Sequence, residues 1–257
     1  MAALAEIARY LDGVLRTAEI PDYPSALNGI QVDTPVEIRR IAAAVDARER
    51  TIEAARAASA NLLIVHHGLF WGGLQPLTGA MYRRMRTLLR EEIGVYSSHL
   101  PLDAHAEFGN NALLARELRL DPTEGFARHE TIDIGVAGTG DVPTEELVRR
   151  ATEFARSHGG TVRHAGVQPG RQTRHWAICT GAGAAADTLR EARTRGIDTL
   201  IVGEGPHWSA IDAEEQGLAV IYAGHYATEV LGVRAITEHV ARHFGLPFSF
   251  LDAPTGL

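Results

Sequence analysis

Residues 45–71, VDARERTIEAARAASANLLIVHHGLFW, decide how the chain folds. A short aliphatic run gives way to a charged stretch of helical period, and a second aliphatic run follows at Leu62–Val65. Strand, helix, strand in this order is the pattern of a βα unit and a largely parallel sheet. The second strand ends in two histidines, His66 and His67, followed by a glycine. In open α/β sheets, ligands bind beyond the carboxyl ends of strands, so this is where functional groups are expected.

The pattern continues outward. Strands are predicted over 38–46, 61–67, 94–99, 131–138, 174–181, 198–204, 218–225 and 247–252, and helices over 48–59, 81–93, 144–158 and 185–196. The first residues, MAALAEIARYLDGVLR, read as an amphipathic helix without the basic flank and apolar core of a signal peptide. The loop 19–35 is long and rich in turn residues, which suits a functional segment.

Residues 179–208, CTGAGAAADTLREARTRGIDTLIVGEGPHW, repeat the plan of 45–71, and GVYSSHLPLD matches AVIYAGHYATE. On this alignment His67 corresponds to Glu204, His99 to His225, and Asp103 to Glu229. Two related α/β lobes are therefore expected, one over 1–125 and one over 126–257.

Every polar cluster of interest falls at a strand end. His66 and His67 close one strand, and His99 closes the next with Asp103 after it. Glu204 and His207 follow TLIV, and His225 closes the last strand, four residues before Glu229. If a helix starts near His225, positions 225 and 229 share one of its faces. Imidazoles and carboxylates in combination suit zinc, iron, manganese or nickel. Adjacent histidines point to opposite faces of a regular strand, but at a bent strand end each can serve a different ion. A strand-end histidine taken alone is only a hydrogen-bonding group; the recurrence in both repeats is what singles these out. Asn110 and Asn111 read as cap or turn residues, Asn28 as a turn residue with contact to the site as its alternative, and Trp71 and Trp208 as packing groups.

Composition narrows the chemistry. The chain has 257 residues, 45% hydrophobic and 22% charged, with a formal net charge of -7. An acidic chain does not favour nucleic acid or an anionic membrane as partner. All 25 basic residues are arginine, which excludes a P-loop lysine, a Schiff base and a lysine base. The single cysteine, Cys179, excludes an internal disulfide and a cysteine-rich zinc site, and fits a cytoplasmic protein.

The stretches VHHGLFWGG, SSHLPLDAHAEFGNN, SALNGIQVD and AGHYATE together resemble the Nif-three-like family, known as GTP cyclohydrolase 1 type 2, and within it the YbgI-like bacterial branch. The match runs in order from about residue 25 to about residue 245. The resemblance implies two intertwined α/β lobes with a C-terminal strand exchanged between them. It also implies a toroidal homohexamer, a trimer of dimers, and two divalent metal ions per chain. The family's ligands carry over onto His66, His67, Asp103, His225 and Glu229, all of which are present. The expected function is metal-dependent hydrolysis of an unidentified small molecule, with His99 and Glu204 as proton carriers. The alternative expectation is a non-catalytic protein that binds or handles metal.

Overall fold

The structure is a computed structural model that describes residues 2–257. The chain divides into two compact units, one made of 1–102 with 232–253, the other of 103–231 with 254–257.

The first unit opens with α1 (Leu4–Leu15), β1 (Gly29–Val32), β2 (Ile41–Asp46), α2 (Glu49–Ala57) and β3 (Leu62–His67). It continues with α3 (Gly79–Arg90) and β4 (Gly94–Ser97). The second unit begins as the short turn of helix α4 (Leu100–Asp103) ends, and runs through α5 (Asn110–Glu117), β5 (Glu124–His129), β6 (Ile132–Pro143) and α6 (Thr144–Ser157). Then come β7 (Arg163–Ala165), β8 (Gln172–Cys179), α7 (Ala186–Thr194), β9 (Thr199–Val202), α8 (His207–Glu215) and β10 (Ala219–Tyr222). Helix α9 (His225–Phe244) starts in the second unit and ends in the first, where β11 (Phe248–Phe250) follows.

Among the described residues the first unit holds a five-stranded sheet in the order β1-β4-β3-β2-β11. Strands β4, β3, β2 and β11 are parallel, and only the β1 edge is antiparallel. Strand β3 is therefore central. Leu63 and Val65 face a core with Ala42, Ala44, Ile52, Ala55, Leu88 and Val95. The alternate residues Leu62 and Ile64 are equally buried, as a strand covered on both faces requires. Strand β1 lies inside the segment read from sequence as a loop. Four residues with one exposed position are too short for period to identify.

The second sheet has the order β5-β6-β8-β9-β10-β7. Its centre, β8-β9-β10, is parallel, and antiparallel strands flank it on both sides. Side chains alternate cleanly. Ala177, Leu200, Val202 and Val220 pack with Leu189 and Ala213 of α7 and α8. Trp176, Ile178, Ile201 and Ile221 pack with Leu114, Leu147, Ala151 and Phe154 of α5 and α6. Burying a side chain of this size is worth roughly 1.5–3 kcal/mol, so both faces contribute to holding the strand ends in place. In both units three consecutive strands, β2-β3-β4 and β8-β9-β10, lie side by side in chain order and parallel.

Candidate metal centre

In the first unit the site is built on the end of β3. His66 is fully buried, and His67 retains 17% exposure of its side chain. His66 Nδ1 lies 3.0 Å from the carbonyl oxygen of Ser98, just past β4. His67 Nδ1 lies 3.0 Å from Oδ1 of Asp46, at the end of β2. The strands flanking β3 thus hold one ring each. The two rings do not diverge as they would along a regular strand: their centroids are 4.7 Å apart. Gly68 lets the chain turn here, because a Cβ at this position would meet the Gln31 side chain at 2.1 Å. Gln31 in turn accepts the Leu69 N–H at 2.7 Å.

His99 joins the pair. Its ring centroid is 5.0 Å from that of His66 and 5.7 Å from that of His67. Its Nδ1 lies 2.9 Å from Oδ1 of Asp22. The carbonyl and the two carboxylates can only accept, so each imidazole donates through Nδ1 and keeps Nε2 for another partner. This arrangement is typical of metal-binding histidines, whose second nitrogen is fixed by an oxygen acceptor. One donor atom from each of His66, His67 and His99 falls within 4.8 Å of the others. Trp71 packs edge-on against His99 at 4.6 Å between centroids, as the packing group expected from sequence.

Asp22 and Asn28 complete this half. Asp22 Oδ2 accepts from the Leu100 N–H and from Asn28 Nδ2, both at 2.8 Å. Asn28 Oδ1 accepts from the His99 N–H at 2.8 Å. Burial alone would raise the Asp22 carboxyl pKa. The hydrogen bonds from His99, Asn28 and Leu100 outweigh it and hold the group below the usual carboxylate range. Asn28 is thus more than the turn residue its sequence context suggests: its side chain ties the loop to His99.

In the second unit the residues stand at the start of α9. His225 and Glu229 share a helical face, with Nε2 3.1 Å from Glu229 Oε2. His225 Nδ1 lies 2.8 Å from Oε1 of Glu204, which follows β9. Burial would lower the His225 pKa, but ion pairing and hydrogen bonding to Glu229 and Glu204 raise it to about 10. Without a metal this imidazole is a cation between two carboxylates. Gly181 makes room for the pair: at φ +60 it lies so close that a Cβ would meet Glu229 Oε1 at 2.2 Å and His225 Nε2 at 3.3 Å.

Asp103 ends α4, and its Oδ1 accepts from Asn110 Nδ2 at 2.8 Å. Asn111 donates to the Ile134 carbonyl at 2.7 Å and accepts the Thr180 N–H at 2.8 Å. The cap position of α5 belongs to Gly109. Asn110 and Asn111 are therefore not caps. They are buried residues of the first turn that fix Asp103 and the Thr180–Gly181 turn. Cys179 is buried beneath this region, and its thiol is pushed up to about 12 mainly by desolvation, which removes it as a nucleophile near neutral pH.

The donors fit a borderline divalent cation. Imidazole nitrogens with fixed tautomers and buried carboxylate oxygens are the ligand types such ions take. The chain therefore carries His and Glu groups able to hold metal.

The model of the family Duf34/NIF3 (NGG1p interacting factor 3) matches residues 2–255. The chain belongs to this family. A relative from Deinococcus radiodurans, named GTP cyclohydrolase 1 type 2 homolog, is 43% identical over 98% of this chain and 94% of its own length. A relative of the same name from Pyrococcus abyssi is 40% identical over 98% of each chain. Among solved structures, the family's fold is shared with the protein ybgI, described as of unknown function, at a TM-score of 0.89 and 32% identity, over 99% of this chain and 100% of that one. A protein from Thermus thermophilus matches at a TM-score of 0.81 and 37% identity, over 98% of this chain and 99% of that one. Family membership and the two-sheet α/β fold agree with the resemblance seen in the sequence. No helix of the described residues is long and apolar enough to cross a membrane.

Proposed function

We propose that the protein is a two-metal hydrolase acting on a small molecule, with His66, His67, Asp103, His225 and Glu229 as ligands of two divalent ions. The observation that carries this reading is the first unit's histidine cluster, in which every Nδ1 is spent on an oxygen acceptor. Three imidazoles so constrained are costly to arrange for packing alone. The second unit adds a carboxylate–imidazole pair on one helical face and supplies negative charge to balance dications. Bound ions of this kind act as Lewis acids and lower the pKa of water near neutrality.

The chain's own residues divide the remaining tasks. Asp46 and the Ser98 carbonyl fix the His67 and His66 rings, and Asn110 fixes Asp103. His99 and Glu204 are the proton carriers in this proposal. His99 has one nitrogen committed to Asp22, and Glu204 is a half-exposed carboxylate on His225. The name borne by the relatives is that of a hydrolase, which agrees with this class of chemistry. Assembly into a hexamer, a trimer of dimers, is part of the proposal and rests on the family resemblance.

The test is metal analysis of protein purified without added metal, followed by a broad hydrolase screen with the His66→Ala, His67→Ala double variant as control. Two ions per chain and an activity lost in the control support the reading. A fully metallated protein inactive on every substrate class would make it a metal-handling protein instead.

A further inference from the structure

The loop that precedes β1 carries three contacts to a single turn of chain that the hydrolase reading leaves unexplained. Asp22 Oδ1 holds the ring of His99 through Nδ1, Asn28 Oδ1 holds its backbone N–H, and Asp22 Oδ2 holds the N–H of the next residue, Leu100. Asp22 and Asn28 also bind each other. The Asp22 side chain is 6% exposed and that of His99 is 12% exposed. An ionised carboxylate with so little water around it needs compensating donors, and it receives them from His99, Asn28 and two backbone N–H groups, Leu100 and Tyr23. Tyr23 and Trp71 pack against the same ring, at 6.1 and 4.6 Å between centroids.

We propose that Asp22, buttressed by Asn28, is a positioning residue that sets the tautomer and orientation of His99. By accepting the Nδ1–H it leaves Nε2 as the second nitrogen of a ring that stands beside those of His66 and His67. A carboxylate at Nδ1 favours this tautomer over the alternative, in which two acceptors would face each other. The inference rests on the reading of His99 as a proton carrier: a carrier must present one defined nitrogen to the reacting group, and this loop is what defines it. Asp22 acts through His99 and touches no reacting atom, so substrate affinity and metal content are expected to be insensitive to it.

The test is a long-range proton–nitrogen correlation spectrum of protein labelled with nitrogen-15 histidine, at neutral pH, first stripped with chelator and then titrated with zinc alone. In the unsubstituted protein His99 is expected as the Nδ1–H tautomer with a bare Nε2. In Asp22→Asn the carboxamide can donate, and the proton is expected to move so that the Nε2 resonance enters the protonated range while the melting curve stays cooperative. Asn28→Ala leaves the carboxylate in place but frees its second oxygen and the His99 N–H, and a mixture of the two tautomers is expected. A protonated Nε2 in the unsubstituted protein, or an unchanged tautomer in a folded Asp22→Asn, would overturn the proposal. If Asp22→Asn does not fold, a single unchanged tautomer in Asn28→Ala overturns the buttress, and the unsubstituted spectrum still decides the role of Asp22. The zinc titration separates this from the metal reading. If zinc moves neither His66 nor His67, the two-metal proposal fails, whatever tautomer His99 adopts.

Discussion

The strand ends of the two units share a backbone plan and differ in chemistry. In the first, the end of β3 and the turn after β4 carry three imidazoles, each donating to a fixed oxygen. In the second, β9 and β10 lead to one imidazole held between two carboxylates, its pKa raised to about 10. One end offers pre-oriented nitrogen donors. The other offers negative charge and a proton that an incoming cation must displace. A shared strand order therefore does not imply shared ligands: β3 ends in His67, whereas β9 is followed by Glu204.

The sharpest way to break this comparison is to remove the charge from the second unit alone. Glu229→Gln keeps the shape of a side chain that is 4% exposed but cannot balance dications. The loss in metal affinity should exceed the roughly 10–100-fold typical of changing a ligand's outer partner, and turnover should vanish with it. Inductively coupled plasma analysis of dialysed protein measures this; full activity in a variant that has lost an ion would exclude two-metal hydrolysis, and two retained ions would remove Glu229 from the ligand set.

The first unit is probed through its anchors. Asp46→Asn leaves His67 in place but removes the carboxylate from its Nδ1. Metal affinity is expected to fall about 10–100-fold, the usual cost of such a change. A competitive titration with a chelating dye reads it directly, and an unchanged affinity would mean that His67 is not oriented through Asp46.

Protons should distinguish the two ends further. Since His225 is protonated in the absence of metal, binding at the second unit releases a proton, and affinity should rise about tenfold per pH unit below that pKa. Calorimetry in buffers of different ionisation enthalpy counts the protons released. The same group links stability to pH. Its folded pKa is raised, so in chelated protein its stabilisation is fully present below the ordinary imidazole value of about 6.5 and is lost as pH rises toward about 10. Melting temperatures of chelated protein across that window should fall, and those of a His225→Gln variant should lack this component.

The smallest expected effect is at Gly181. A side chain there adopts a left-handed conformation that costs about 1–2 kcal/mol and presses on Glu229 Oε1. Gly181→Ala should lower stability by that amount in urea unfolding and weaken metal binding at the second unit only. A neutral result would show that the turn relaxes away from Glu229.

Much of this was legible in the sequence, because each relevant strand announces its end. LLIVHH and TLIVGE are aliphatic runs that stop at polar residues, and β3 and β9 occur where those runs predict them. The anchors were not legible. Asp22 meets His99 across 77 positions of sequence and Asp46 meets His67 across 21, and neither stands in a periodic pattern. Asn28, Asn110 and Asn111 look like turn and cap residues because asparagine usually is one; only the packed fold shows which polar groups each must satisfy. The antiparallel flanks β5 and β7 escaped for a different reason. They carry few buried positions, Phe126 and Ala127 in β5 and Ala165 in β7, so no apolar run marks them.

The last strand has a consequence for how the chain is made. Phe248 pairs with Ile41, so the first unit's sheet acquires its edge strand from residues synthesised after 103–231 of the second unit. A nascent chain emerging from the ribosome must carry β2 with one side unpaired until β11 has emerged. Such a strand, buried on both faces in the finished protein, is a template for pairing with other chains. Folding of the amino-terminal half is thereby tied to the emergence of β11, and truncations that remove residues 246–257 should aggregate from an early half rather than a late one.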